Sequence, residues 1–199
     1  MTHVAVLLFD DFETLDVFGP VEIFGVLKTE YKVSFYSTCG GLVKNNHGVA
    51  VDSLPLEKIK EGVDIFLIPG GYGTRIKVNN TDFITSLKQI AEASKFVLTV
   101  CTGTALLAKT GLLDNKEATS NKRAFDWVMS TGPKVIWIKK ARWMVAGKYY
   151  TSSGVSAGMD MVFGFLRDIH GEAFARKIAF QIEYNWQEDK NHDPFSDQS

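Results

Sequence analysis

The chain has little that would cross-link it, bind a metal or carry it across a membrane. Cysteine occurs twice in 199 residues, at Cys39 and Cys101. Two are too few for a disulfide framework, and they lack the spacing of a zinc site. The four histidines, His3, His47, His170 and His192, are scattered, with no pair at metal-ligand spacing, so no metal is expected. No apolar run reaches the roughly 18 residues of a membrane span. The start, MTHVAVLLFDDFE, has neither a basic leader nor a small-residue cleavage site, so no secretory signal is expected. Lys and Arg number 22 against 23 Asp and Glu, a net charge of −1. Nucleic acid and membrane surfaces therefore have no electrostatic support as partners. These absences describe a reduced, soluble, cytoplasmic protein.

What is present is a core. The composition is 45% hydrophobic, enough for one compact domain over residues 1–199, with a polar tail from about 187. No repeat, low-complexity tract or linker divides it. Residues 4–9, 31–37, 63–68, 96–100 and 135–138 read as strands, with short extended pieces near Leu42-Val43 and 49–51. Residues 143–146 and 149–152 read as a hairpin about Gly147-Lys148. Helical spacing covers 15–27, 83–94, 104–109, 125–129, 156–169 and 172–185, with a short helix over 56–60. Gly19-Pro20 is expected to kink or restart the first of these. Strands alternating with helices predict an α/β fold, a mostly parallel sheet with helices on both faces in a flavodoxin-like sandwich. Ligands of such sheets sit at the carboxyl ends of the strands, where both Gly70-Gly71 and Cys101 fall.

Most buried cysteines are small core residues. Cys101 stands apart because it ends the apolar strand Phe96-Val97-Leu98-Thr99-Val100 and precedes Thr102-Gly103 and a helix. Such a turn presents a nucleophile, and the helix N-terminus is expected to favour its thiolate. Gly70-Gly71-Tyr72-Gly73 matches no phosphate-loop pattern. It reads either as a plain loop or as backbone N–H groups aimed at developing negative charge. Gly154-Val155-Ser156-Ala157-Gly158 is a literal G-x-S-x-G. Too little chain follows for the acid and histidine that a serine hydrolase needs, so Ser156 reads as a helix N-cap. Asp16 and Glu22 lie on an otherwise apolar helix, where a carboxylate needs a partner: a basic group, solvent or the thiol.

A longer series of stretches runs through nearly the whole chain in order. It includes Val6-Leu7-Leu8-Phe9-Asp10, the run Leu15-Asp16-Val17-Phe18-Gly19-Pro20-Val21-Glu22-Ile23-Phe24 and Ile68-Pro69-Gly70-Gly71-Tyr72-Gly73. It continues through Val100-Cys101-Thr102-Gly103, Leu106-Leu107-Ala108, Thr110-Gly111-Leu112-Leu113-Asp114, Ala118-Thr119 and Ala141-Arg142-Trp143. It ends with Ser153-Gly154-Val155-Ser156-Ala157-Gly158-Met159-Asp160 and Asp193-Pro194-Phe195. Together these resemble the ThiJ/PfpI superfamily, of class I glutamine-amidotransferase-like fold, in its isocyanide hydratase-like branch. The resemblance implies that Cys101 is the nucleophile, Asp16 its acidic partner, and Gly71 and Thr102 the backbone donors. It also implies a homodimer with no metal or organic cofactor, and it makes the G-x-S-x-G a structural turn. The chain departs from protease- and glyoxalase-type relatives, which tend to carry His where this chain has Thr102. Asn121 likewise stands where related members often have His. Some regulators join such a domain to a DNA-binding helix-turn-helix, and a chain that ends after one domain is not expected to play that role.

The activity expected on this basis is hydration of an isocyanide to an N-formamide through a Cys101 thioimidate, with Asp16 as proton donor. An isocyanide asks for little beyond an apolar pocket and that donor. Two alternatives stay open: a redox sensor whose Cys101 is oxidised, and a hydrolase or glyoxalase acting on a small carbonyl compound.

Overall fold

In the computed structural model, which describes residues 1–59 and 61–197, the uninterrupted apolar runs become the central strands. The first half of the chain forms β1 (Thr2–Leu7), α1 (Thr14–Gly25), β2 (Tyr31–Ser37), β3 (Gly41–Lys44), β4 (Ala50–Pro55), β5 (Ile65–Ile68), α2 (Thr74–Lys77) and α3 (Thr81–Ala93). The second half forms β6 (Phe96–Thr99), α4 (Gly103–Lys109), β7 (Glu117–Ala118), α5 (Phe125–Thr131), β8 (Ile136–Trp137), β9 (Trp143–Ala146), β10 (Tyr149–Ser152), α6 (Ala157–His170) and α7 (Glu172–Gln181). Eight strands make one sheet in the order β3-β4-β2-β1-β5-β6-β10-β9. All neighbours pair in parallel except the outermost, β3 with β4 and β9 with β10.

The two short hairpins thus close the two edges of a parallel core. Within that core, β2-β1-β5-β6-β10 follows the doubly wound order, with its switch point beside β1. Every residue of β5 is buried, as expected for a strand covered on both faces. Helices α1, α6 and α7 pack in one group and α2, α3, α4 and α5 in another, flanking the sheet as expected.

Three details differ from the sequence expectation. Pro20 neither breaks nor restarts α1, which runs through it. The proline forfeits one hydrogen bond, to the Asp16 carbonyl, but the buried face of Val17, Ile23 and Phe24 keeps the helix against the core. The helix over 56–60 is a single 3-10 turn, Leu56–Ile59, and Lys60 lies outside the described residues. The polar tail is not wholly at the surface: Asp193 and Ser196 are buried. In α3, the Asn80 side chain caps the Phe83 N–H at 3.0 Å, and Phe83, Leu87, Ile90 and Ala91 form its buried stripe. No helix is long and apolar enough among the described residues to cross a membrane.

Candidate active site

Four strand ends converge on one small cavity. The connection after β1 brings Glu13 to the wall and, at the start of α1, sets Asp16 behind it, against Cys101. The end of β5 brings Gly70-Gly71, β6 brings Cys101-Thr102, and β10 brings Gly154-Val155. The cavity is about 270 Å³ and is lined by Cys101, Thr102, Gly71, Asn121, Val155 and the exposed Arg75 and Arg123, among others. It is therefore not the apolar pocket that the sequence reading anticipated. Among the described residues, no histidine lines it.

Cys101 sits on the elbow between β6 and α4 with φ +58°, a left-handed backbone that few non-glycine residues adopt. Its N–H donates to the Ser153 carbonyl at 3.1 Å, and its carbonyl accepts the Ser120 hydroxyl at 2.7 Å. Behind it, Gly103 is a packing requirement: a Cβ there would overlap the Ile68 and Pro69 carbonyls. The elbow expected from sequence is thus present and held from both sides.

Asp16 is wholly buried. Its Oδ2 accepts the Gly70 N–H at 2.9 Å. Its Oδ1 has no well-aligned hydrogen-bond partner, although the Cys101 thiol and the Val155 N–H lie close enough to act on the carboxyl. Burial pushes the Asp16 carboxyl well up, helped by the nearby Glu13 charge; the Gly70 N–H, the thiol and the Val155 N–H oppose it.

Burial also pushes the Cys101 thiol well up, and the Asp16 charge adds to this; the N–H groups of Thr102 and Val155 and the Asn121 amide oppose it. The expected lowering of this thiol pKa by the helix N-terminus is therefore overturned. The sulfur is enclosed, and desolvation outweighs a helix of seven residues. Two acids in contact and out of water cannot both ionise cheaply.

Gly71, at φ +128°, lies at the cavity wall beside Thr102. Its N–H donates to Thr102 Oγ1 at 3.0 Å, while the Thr102 hydroxyl reaches back to the Gly71 carbonyl at 3.3 Å. Thr74 Oγ1 donates to the same threonine oxygen at 3.2 Å. The backbone donors that do face the sulfur are those of Thr102 and Val155. Val155 was missed by sequence reasoning. A valine at φ +51° is a marked outlier for a β-branched residue, and nothing in the pattern G-x-S-x-G announces it beyond the preceding Gly154. Ser156 occupies the position before α6 but caps no N–H. Its hydroxyl instead accepts Arg142 Nη2 at 3.4 Å, so the expected N-cap bond is absent. Asn121 turns its amide toward the sulfur and accepts the Ala124 N–H at 3.0 Å. Glu22, the second carboxylate considered, is exposed. Among the described residues no group of His, Cys, Asp and Glu could hold a metal ion.

A family profile described as the DJ-1/PfpI family matches residues 2–168. The chain is 25% identical over 184 residues to an isonitrile hydratase of Pseudomonas putida, a span of 92% of this chain and 78% of that one. It is also 25% identical over 153 residues to the HTH-type transcriptional regulator CdhR of Pseudomonas aeruginosa, a span of 76% of this chain but 45% of the regulator. Among solved structures, a THiJ/PfpI family protein from Pseudomonas syringae superposes with a TM-score of 0.84 at 22% identity, covering 92% of this chain and 75% of that one. At that identity the likeness speaks for the fold.

Proposed function

The chain belongs to the DJ-1/PfpI family, and from that premise we propose that it is a cysteine-dependent hydratase that converts an isocyanide to an N-formamide. The observation that carries this reading is the pairing of a buried, half-satisfied carboxyl with a thiol, with no histidine lining the cavity among the described residues. The similarity to an isonitrile hydratase supports it.

In the reactive form the pair's proton is on Asp16 and the charge on sulfur. The Cys101 thiolate attacks the terminal isocyanide carbon, forming the S–C bond, and Asp16 delivers its proton to that carbon to give a thioimidate. Asp16, now a carboxylate, takes a proton from a water that attacks the same carbon. The nitrogen gains the water's second proton as the C–S bond breaks. The N-formamide leaves, and thiolate and protonated Asp16 are restored. The N–H groups of Thr102 and Val155 stabilise the sulfur whenever it is anionic. No metal or organic cofactor takes part.

The substrate is a small molecule, in keeping with a 270 Å³ cavity. The proposal includes a cytoplasmic homodimer, for which the exposed Leu42 and Leu54 on the outer β3–β4 hairpin and the exposed Phe180 on α7 are candidate contact points. Light scattering that returned a single 22.1 kDa chain would remove the dimer. The activity is tested by following formamide formation from a simple isocyanide beside a methylglyoxal assay. Turnover of the isocyanide, lost in Cys101→Ala, is expected. No product from either compound at high enzyme concentration, with peroxide converting Cys101 to its sulfinate, would replace the hydratase reading by the sensor.

A further inference from the structure

The chain contains five arginines. Arg142, Arg167 and Arg176 are in ion pairs. Arg75 and Arg123 have no acidic partner among the described residues, and both line the Cys101 cavity. They also line an adjoining cleft of about 480 Å³, together with Lys139, Asp126 and Trp127. Arg75 is steadied by two aromatic faces, its guanidinium lying 4.6 Å from the Trp127 ring centre and 5.2 Å from that of Tyr72. Its donors remain free for a ligand. Lys122 borders the cleft too, but its ammonium turns inward to Thr119, Ser120 and Ala141.

Three available cations, Arg75, Arg123 and Lys139, therefore meet two acids, Glu13 and Asp126, around the joined cavities. At the mouth that is an excess of one positive charge, which the anionic form of the buried Asp16–Cys101 pair balances. The Asp16–Cys101 pair occupies the opposite, buried end. We propose that the site takes an electrophile bearing a single carboxylate, which Arg75 and Arg123 hold at the mouth while its reactive carbon meets Cys101. A guanidinium suits a planar carboxylate through paired N–H donors, and neither Arg75 nor Arg123 has an acidic partner among the described residues to occupy them. The proposal rests on the hydratase reading for the identity of the reactive group, and its test does not use hydration.

The test compares alkylation by iodoacetate with alkylation by iodoacetamide, near-isosteres that differ by one negative charge. Both form an S–C bond with loss of iodide. The exposed Cys39 in the same protein is the internal reference. Rates at each cysteine are read by peptide mass spectrometry. The iodoacetate-to-iodoacetamide rate ratio is expected to be about tenfold or more higher at Cys101 than at Cys39, the lower end of what electrostatic steering into a cleft supplies. The excess should shrink in Arg75→Gln, in Arg123→Gln, and in 0.5 M salt. A ratio at Cys101 equal to or below that at Cys39 overturns the proposal, as does an excess that survives both substitutions. A preserved excess with no formamide from any isocyanide would remove the hydratase reading and leave the anion site standing.

Discussion

At the scale of single residues, the chemistry rests on where one proton resides. Asp16 and Cys101 are each pushed up by burial, and each further by a neighbouring negative charge. For the thiol that charge is Asp16 itself. Asp16→Asn removes it while keeping the size of the side chain. The Cys101 thiol should then ionise at lower pH, so alkylation by a neutral reagent near pH 7 should persist and become faster. The substitution also removes the proton donor, so turnover should fall by about two to four orders of magnitude, the usual span for a lost general acid. The two readouts move in opposite directions, which a merely structural carboxyl would not produce. Unchanged turnover would sink the mechanism. Alkylation that collapsed along with turnover would make Asp16 the base that forms the thiolate.

At the scale of elements, what was legible in the sequence and what was not divide along a physical line. Buried parallel strands need unbroken apolar runs, so β1, β5 and β6 could be read directly, and with them the strand ends that carry Gly71 and Cys101. Asp16 was legible because a carboxylate on an apolar helix has to be accounted for. The four-residue α2 and the two-residue β7 were not legible, because neither is long enough for a period to show. Arg75 and Arg123 come from separate connections, and only the fold joins them at one cavity.

Val155 was hidden for another reason. Its φ of +51° is a conformation that valine disfavours, so propensity argues against the true geometry. The strain places its N–H toward both Asp16 and Cys101. Two substitutions separate backbone from side chain. Val155→Gly keeps the N–H and accepts positive φ, so it should leave Cys101 reactivity intact and stabilise the fold by about 1 kcal/mol, the cost of a left-handed L-residue. Val155→Pro removes the N–H and forces negative φ, so it should raise the Cys101 pKa and destabilise the turn. Chemical denaturation and a pH series of alkylation rates check both. Equal Cys101 titration in the glycine and proline variants would show that the Val155 N–H does not act on the sulfur.

At the scale of the whole molecule, a buried ionic cluster joins the carboxyl-terminal segment to the rest. Arg142 holds Asp160 through its Nε at 2.6 Å and stands 3.7 Å from Asp193. Lys122 stands 3.9 Å from Asp193 and donates to Thr119 Oγ1 and the Ala141 carbonyl at 2.8 and 2.7 Å. Lys122 neighbours Asn121, which faces the thiol, and Arg142 reaches Ser156, beside Val155. Burial lowers the Lys122 pKa from 10.5 to about 8, against the pull of Asp193; Arg142 and Lys139 lower it further. The folded protein thus releases this proton near pH 8, whereas the unfolded chain keeps it to about 10.5. Between those values unfolding takes up a proton, so raising the pH opposes unfolding and this residue's contribution to stability increases. Across the full window the effect is on the order of 3 kcal/mol. Lys122→Gln keeps a donor for Thr119 and Ala141 but cannot titrate. Denaturant titrations at pH 7.5 and 9.5 should show the unaltered protein gaining stability relative to this variant as the pH rises. Parallel pH dependence in the two proteins would mean that Lys122 holds its proton in the fold as firmly as in the unfolded chain, and that Asp193 compensates its burial in full.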